Sequence, residues 1–298
     1  MSTKMLGLTA VLTLFATVCS AQALSPKWEE LTSADFVKAI KQADGVCMLP
    51  MGSMEHFGPT APIGTNVYLA REVSVAAARQ AYVVIFPDYF VSAATGSSAE
   101  PGTIAYSLDT QMKFLDETTR EMARNGCKKI ILGNGHTPNQ QLINLYMENF
   151  RAVPRDYVVY TIYVTAFPAN YANGGPYPPA MLPSKPGADG HGGEERVAAM
   201  LVNHPDLIHL ERSRDEPLEP GHGAEDRNNA PPAGGLNVVP TGYFGDPSGA
   251  TLERGRALMD WATARLATFI RQVKADSKTL ALQRELYERI QQPRMPSR

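Results

Sequence analysis

The apolar positions of this chain fall into two alternating patterns. Short, nearly unbroken apolar runs stand at 46–50, 82–86, 129–132 and 157–164. Around them, apolar residues recur every three or four positions: Phe36, Val37 and Ile40; Val67, Ala70, Val73 and Ala77; Met112, Leu115, Thr119 and Met122; and later Leu258, Ala262, Leu266, Phe269 and Val273. The first pattern reads as strands buried on both faces, and the second as helices with one apolar face. Further helices are expected at about 140–150, from 189–196 onward through Val197, Met200 and Leu201, and at about 280–291. Ser33 is the expected N-cap of the first helix, and Gly126 ends the helix at 108–125. Strands alternating with helices predict an α/β protein with a mainly parallel sheet covered on both faces. No repeat or composition shift calls for a second domain.

Two stretches interrupt the alternation. Residues 166–188 are dense in proline and glycine, and read as a long ordered loop or lid. Residues 210–240, rich in Pro, Gly and Asn, are expected to wrap the surface.

Composition adds bounds. Of 298 residues, 44% are hydrophobic and 19% charged, enough for a substantial core. The net charge is −2 and no basic run exceeds Lys128-Lys129, which argues against nucleic-acid binding or an anionic membrane partner. Lys4, the apolar stretch 5–18 and Ala21-Gln22-Ala23 have the layout of a secretory signal. Residues 1–23 are therefore expected to be cleaved, leaving an exported domain over 24–298, periplasmic or extracellular and without a membrane anchor. Val18 before Cys19 is too bulky for a lipoprotein signal. Cys47 and Cys127 then remain; export allows a disulfide, while the packing of cysteine as a small hydrophobe favours two buried thiols.

Three loops carry the candidate chemistry. Glu55 and His56 follow the first strand, Asn134-Gly135-His136 follows the third, and Asp189-Gly190-His191 with Glu194 and Glu195 opens a helix. In an open α/β sheet, loops at strand carboxyl ends are where ligands bind. Imidazole and carboxylate together suit Zn, Mn or Fe. No G-x-S-x-G elbow and no glycine-rich phosphate loop with a lysine is present, so a metal-dependent hydrolase leads among enzyme classes. His204, His209 and His222 read as surface or internally satisfied residues.

Four motifs in order resemble the creatininase (creatinine amidohydrolase) family: Pro50-Met51-Gly52-Ser53-Met54-Glu55 running to Gly64-Thr65, then Asn134-Gly135-His136, then His191-Gly192-Gly193-Glu194, then Gly245-Asp246-Pro247. The resemblance implies a single three-layer α/β/α domain, a homo-oligomer (often a hexamer), and metal-dependent opening of a cyclic or small amide. It also implies Glu55 and His136 as metal ligands and His191 as general acid. A short polar helix at about 279–292 extends the domain. Against the family pattern, Phe57 stands at a ligand histidine, Asn66 at a ligand aspartate, Pro138 where some members place a glutamate, and Arg196 at a third-motif glutamate. Two divalent ions need carboxylates beside them, and a cation about 4 Å away opposes them by about 4 kcal/mol at an effective dielectric near 20. The residues therefore argue against a two-metal centre. They leave room for one ion on Glu55, His136 and a rearranged His56 or Asn66. Arg196 is expected to take the vacated position and pair with Glu55. His56, Asn134 and Glu194 are candidate pocket residues. Two functions follow: an amidohydrolase with altered or lost activity, or a non-catalytic exported protein that binds a small ligand or assists assembly.

Overall fold

The structure, a computed structural model, describes residues 24–165, 178–216 and 245–292. Residues 1–23, where a secretory signal is expected, His222, residues 166–177 of the first Pro/Gly-rich stretch and 217–240 of the second lie outside the described residues.

Four parallel strands form the sheet: β1 (Val46–Met51), β2 (Val84–Ile85), β3 (Lys129–Asn134) and β4 (Val158–Tyr163), in spatial order β2-β1-β3-β4. All six β1 residues are buried, which is why the run lacks polar alternation. Val46 and Met48 point into one apolar layer, with α2 (Thr65–Gln80), α5 (Glu194–Asn203) and α6 (Leu252–Ala275). Cys47, Leu49 and Met51 point into the other, with α1 (Ser33–Gln42), α3 (Leu108–Arg124) and α4 (Asn139–Ala152). Helices thus cover both faces of one sheet. A seventh helix, α7 (Thr279–Gln291), follows α6. No helix of the described residues is long and apolar enough to cross a membrane.

Two local expectations change. Thr32, not Ser33, caps α1: its backbone is extended and its hydroxyl accepts the Asp35 N–H at 3.2 Å. The strand expected at 82–86 pairs only at Val84–Ile85; beyond it Phe86 precedes Pro87, and the outer edge is covered by Lys27 bridging Ile85.

Cys47 and Cys127 form a disulfide across a sequence separation of 80, with Cα atoms 5.6 Å apart, so the buried thiols favoured by the sequence are not what the fold contains. Cys47 lies in β1 and Cys127 precedes the neighbouring β3, and parallel pairing brings them into reach.

Candidate active site

The strand order creates the site. The chain leaves β1 through α2 towards β2, and leaves β3 through α4 towards β4. Adjacent strands whose connections depart in opposite directions leave a crevice at their carboxyl ends. Met51 and Asn134 are register partners there, so the β1 and β3 loops open side by side. Two glycines let α2 close over this point. A Cβ on Gly52 would lie 2.5 Å from the Val67 nitrogen, and one on Gly135 would lie 2.8 Å from the Ala70 Cβ. Close approach places Asn66, in the first turn of α2, directly over the β1 loop.

Glu55 is the centre of what results. Its Oε1 receives the Ser53 hydroxyl at 2.8 Å and the Asn66 Nδ2 at 2.7 Å, and stands 3.0 Å from His136 Nε2. Asn66 Nδ2 gives its other hydrogen to Ser53 Oγ at 2.8 Å. All four side chains are buried. Burial alone would push the Glu55 carboxyl up. The charge and hydrogen bond of His136, the charge of His191 and the Ser53 hydroxyl outweigh it and hold the carboxyl down at about 2.

The far side of His136 is equally defined. Its Nδ1 lies 3.3 Å from Asn139 Oδ1. That amide's orientation is fixed, because Oδ1 also accepts the Ala93 N–H at 3.1 Å and Nδ2 donates to the Gly52 carbonyl at 3.3 Å. Both ring nitrogens therefore face oxygen atoms, Nδ1 towards the Asn139 amide and Nε2 towards the Glu55 carboxylate. The Asn134 Oδ1 accepts the His136 backbone N–H at 3.0 Å and fixes the loop.

His191 reaches the same region from the segment before α5. Its Nε2 donates to the His56 carbonyl at 2.6 Å, and its ring lies against Phe57 with centroids 4.6 Å apart. Burial pushes the His191 pKa down, opposed by the Glu55 charge and the His56 carbonyl. A neutral ring whose Nε2 proton already holds a backbone carbonyl must give up that bond to act as an acid. The fourth motif supports this segment: the Gly245 N–H donates to the His191 carbonyl at 2.9 Å, and Asp246 accepts Lys185 at 2.6 Å.

Other candidates stand elsewhere. The His56 ring turns to Glu216, with Nε2 3.0 Å from Oε2. Glu194 is fully buried against Arg254, whose Nη1 lies 3.1 Å from its Oε2, and accepts the Ser184 N–H at 2.8 Å. Arg254 also makes a two-toothed pair with Asp189, at 2.7 and 2.5 Å. The Arg196 pairing expected from the sequence does not form. Glu55 takes its ion pair from His136, whereas Arg196 Nε lies 3.9 Å from Glu195 and its side chain lines a small cavity with Leu69 and Val73 of α2 and Leu258 of α6. The direction in which α5 presents position 196, towards the helical layer, decides this. Sequence reasoning did not pick out Ser53 or Asn139. The only signals were a hydroxyl two residues before Glu55 and an amide three after His136, and such residues are common in loops.

A parallel α/β domain thus carries a carboxylate and imidazoles on adjacent strand-end loops. The family model described as creatinine amidohydrolase matches residues 29–270, and the chain belongs to the creatininase family. A creatinine amidohydrolase of Pseudomonas putida is 28% identical over 202 residues, 63% of this chain and 75% of that one. A mycofactocin precursor peptide peptidase of Mycobacterium ulcerans (strain Agy99) is 24% identical over 222 residues, 71% of this chain and 78% of that one. A creatininase crystal structure superposes with a TM-score of 0.68 at 24% identity, covering 86% of this chain and all of that one; other creatininase structures are described as manganese and Zn–Zn forms.

Among the described residues, no group of three or more His, Cys, Asp or Glu side chains could hold an ion. Phe57 supplies no donor atom, and Asn66 turns its NH₂ to the Glu55 carboxylate.

Proposed function

We propose that this chain is an exported creatininase-family protein in which protein hydrogens have replaced cations at the strand-end carboxylate, so that amidohydrolase activity on a cyclic or small amide is altered or lost. One observation carries the reading: Ser53, Asn66 and His136 all converge on Glu55 Oε1. An anion already compensated by three donors gains little from a divalent ion, and the ion would have to displace them. The Cys47–Cys127 disulfide supports export, since such bonds persist in oxidising compartments.

The test is elemental analysis of the purified mature protein for Zn, Mn and Fe, with a creatinine hydrolysis assay and a thermal melt with and without chelator. The expected result is well under one equivalent of metal and a melt unmoved by chelator. One or two equivalents, with chelator-sensitive hydrolysis, overturns the reading. The double variant F57H/N66D, which leaves Arg196 in its helical layer, is expected to gain metal affinity.

A specific observation favours the second reading, a non-catalytic binder of a small amide. Asn66 Oδ1 and Asn134 Nδ2 are buried and have no hydrogen-bond partner among the described residues. One acceptor and one donor complement the N–H and C=O of an amide, and leaving them unmet costs about 1–3 kcal/mol each. Calorimetric titration with creatinine and small lactams tests it. Binding that is lost in N134A supports the reading, and no binding of any of them opposes it.

A further inference from the structure

His56 fastens together segments that lie far apart in the chain. Its backbone N–H donates to Thr103 Oγ1 at 3.0 Å, its carbonyl accepts His191 Nε2 at 2.6 Å, and its ring Nε2 stands 3.0 Å from Glu216 Oε2. These partners are 47, 135 and 160 residues away. All three contacts fall on the residue that follows Glu55. Neighbouring contacts join the same segments: the Ile104 N–H donates to the Met54 carbonyl at 2.9 Å, and the Phe57 ring packs on His191. Gly102 lets the Thr103 segment come this close. It adopts φ 83°, and a Cβ there would lie 2.9 Å from Ile63 Cδ1.

Glu216 arrives on a strap. Leaving α5, residues 204–216 pass through two short 3-10 turns and run back along the Glu55 loop. The first part is rooted: Ile208 is buried, Leu210 packs against the helical layer, and the His209 N–H donates to the Thr60 carbonyl at 2.9 Å. The far part is held differently. Its Glu216 side chain is 39% exposed and meets a His56 side chain that is only 12% exposed. A segment rooted in the core at one end, and fastened at the other through a half-exposed carboxylate, opens at the fastened end first. Such opening would free the residue whose carbonyl holds His191. We propose that residues 204–216 form a closing strap, latched by Glu216 on His56, which holds the Glu55 loop, the Thr103 segment and the His191 segment together; releasing the latch loosens all three at once. The inference goes beyond the reading of the site, and holds whether Glu55 meets an ion or an amide.

The test is hydrogen exchange, read by mass spectrometry on the full mature chain without added metal or amide, so its failure would leave the reading of the site untouched. Glu216→Ala is expected to raise exchange about tenfold in peptides covering 53–57, 102–104 and 189–193, the scale of one lost hydrogen bond. Glu216→Gln keeps an acceptor oxygen and should show a smaller rise. The double variant H56A/E216A should exceed E216A little, because both changes remove one contact. Glu211→Ala is the control: its carboxylate lies on the same strap but meets His209, at 3.2 Å, and should leave those three peptides unchanged. A rise confined to the strap itself, additive effects of H56A and E216A, or an equal rise in E211A overturns the proposal.

Discussion

His136 Nε2 stands 3.0 Å from Glu55 Oε1, each side chain buried and each delivered by a different strand. The pair spans the crevice between β1 and β3, so it ties the two strand-end loops together as well as balancing charge. Removing one partner leaves the other buried without its counter-charge, which costs about 3–5 kcal/mol. Glu55→Gln and His136→Gln are each expected to lower stability by about that much in urea titration. The double variant should cost clearly less than the sum, and strict additivity would show that the two groups are not coupled.

The acid side of the stability profile should belong to Glu55. Its carboxyl is held at about 2 against an ordinary 4.5. The folded state binds the proton more weakly than the unfolded state, so the contribution is complete above about pH 4.5 and is lost as pH falls through about 2. The gap corresponds to about 3 kcal/mol. Denaturation curves at about pH 5, 3.5 and 2.5 should show this loss in the parent and little of it in E55Q.

Glu195 should act with the opposite sign. Burial, with Asp189 nearby, pushes its carboxyl up to about 7 against the pull of Arg196 and Arg254. A raised carboxyl favours folding below about pH 4.5, and this contribution disappears as pH rises through about 7. The parent should therefore lose up to about 3 kcal/mol between about pH 5 and pH 8. Glu195→Gln should flatten that slope, and an unchanged slope would place the titration elsewhere.

The Cys47–Cys127 bond closes a loop of 80 residues, for which chain entropy gives about 4 kcal/mol. Reductant, or the double alanine variant, should lower the unfolding free energy by a comparable amount in urea titration. Thiol titration under denaturing, non-reducing conditions should find no free thiol if the segment carrying Cys19 has been removed, and one if it remains.

Arg254 should hold the His191 segment in place. Its guanidinium binds Asp189 through two nitrogens, touches Glu194 and donates to the Met181 carbonyl. Arg254→Met strands two buried carboxylates and is expected to cost about 3–5 kcal/mol. Hydrogen exchange should rise first in residues 181–193. Arg254→Lys keeps the charge but not the fork, and should show an intermediate rise.

Much of the layout was legible in the chain. The unbroken runs at 46–50 and 129–132 could be strands only if covered on both faces, and this implied helices on two sides. Glu55 and His136 were legible because each follows such a run at a break of glycine. Their partners were not. Asn66 reaches Glu55 because Gly52 and Gly135 let α2 descend onto the strand ends. Asn139 reads as an ordinary residue at a helix start until the Ala93 and Gly52 backbones fix its amide.

By itself, the sequence determined the alternation of strands and helices, the loops that carry the acids and imidazoles, and the motif order that the creatininase family model matches. Periodicity and motif order are local properties, readable without knowing which elements meet. Tertiary structure alone decided who compensates Glu55. Arg196 and His136 both offered N–H groups within the candidate motifs. The choice turned on direction: α5 aims Arg196 into the helical layer, and the pairing of β3 beside β1 aims His136 across the crevice. The same holds for the disulfide, since two cysteines 80 residues apart become neighbours only when parallel strands bring them together.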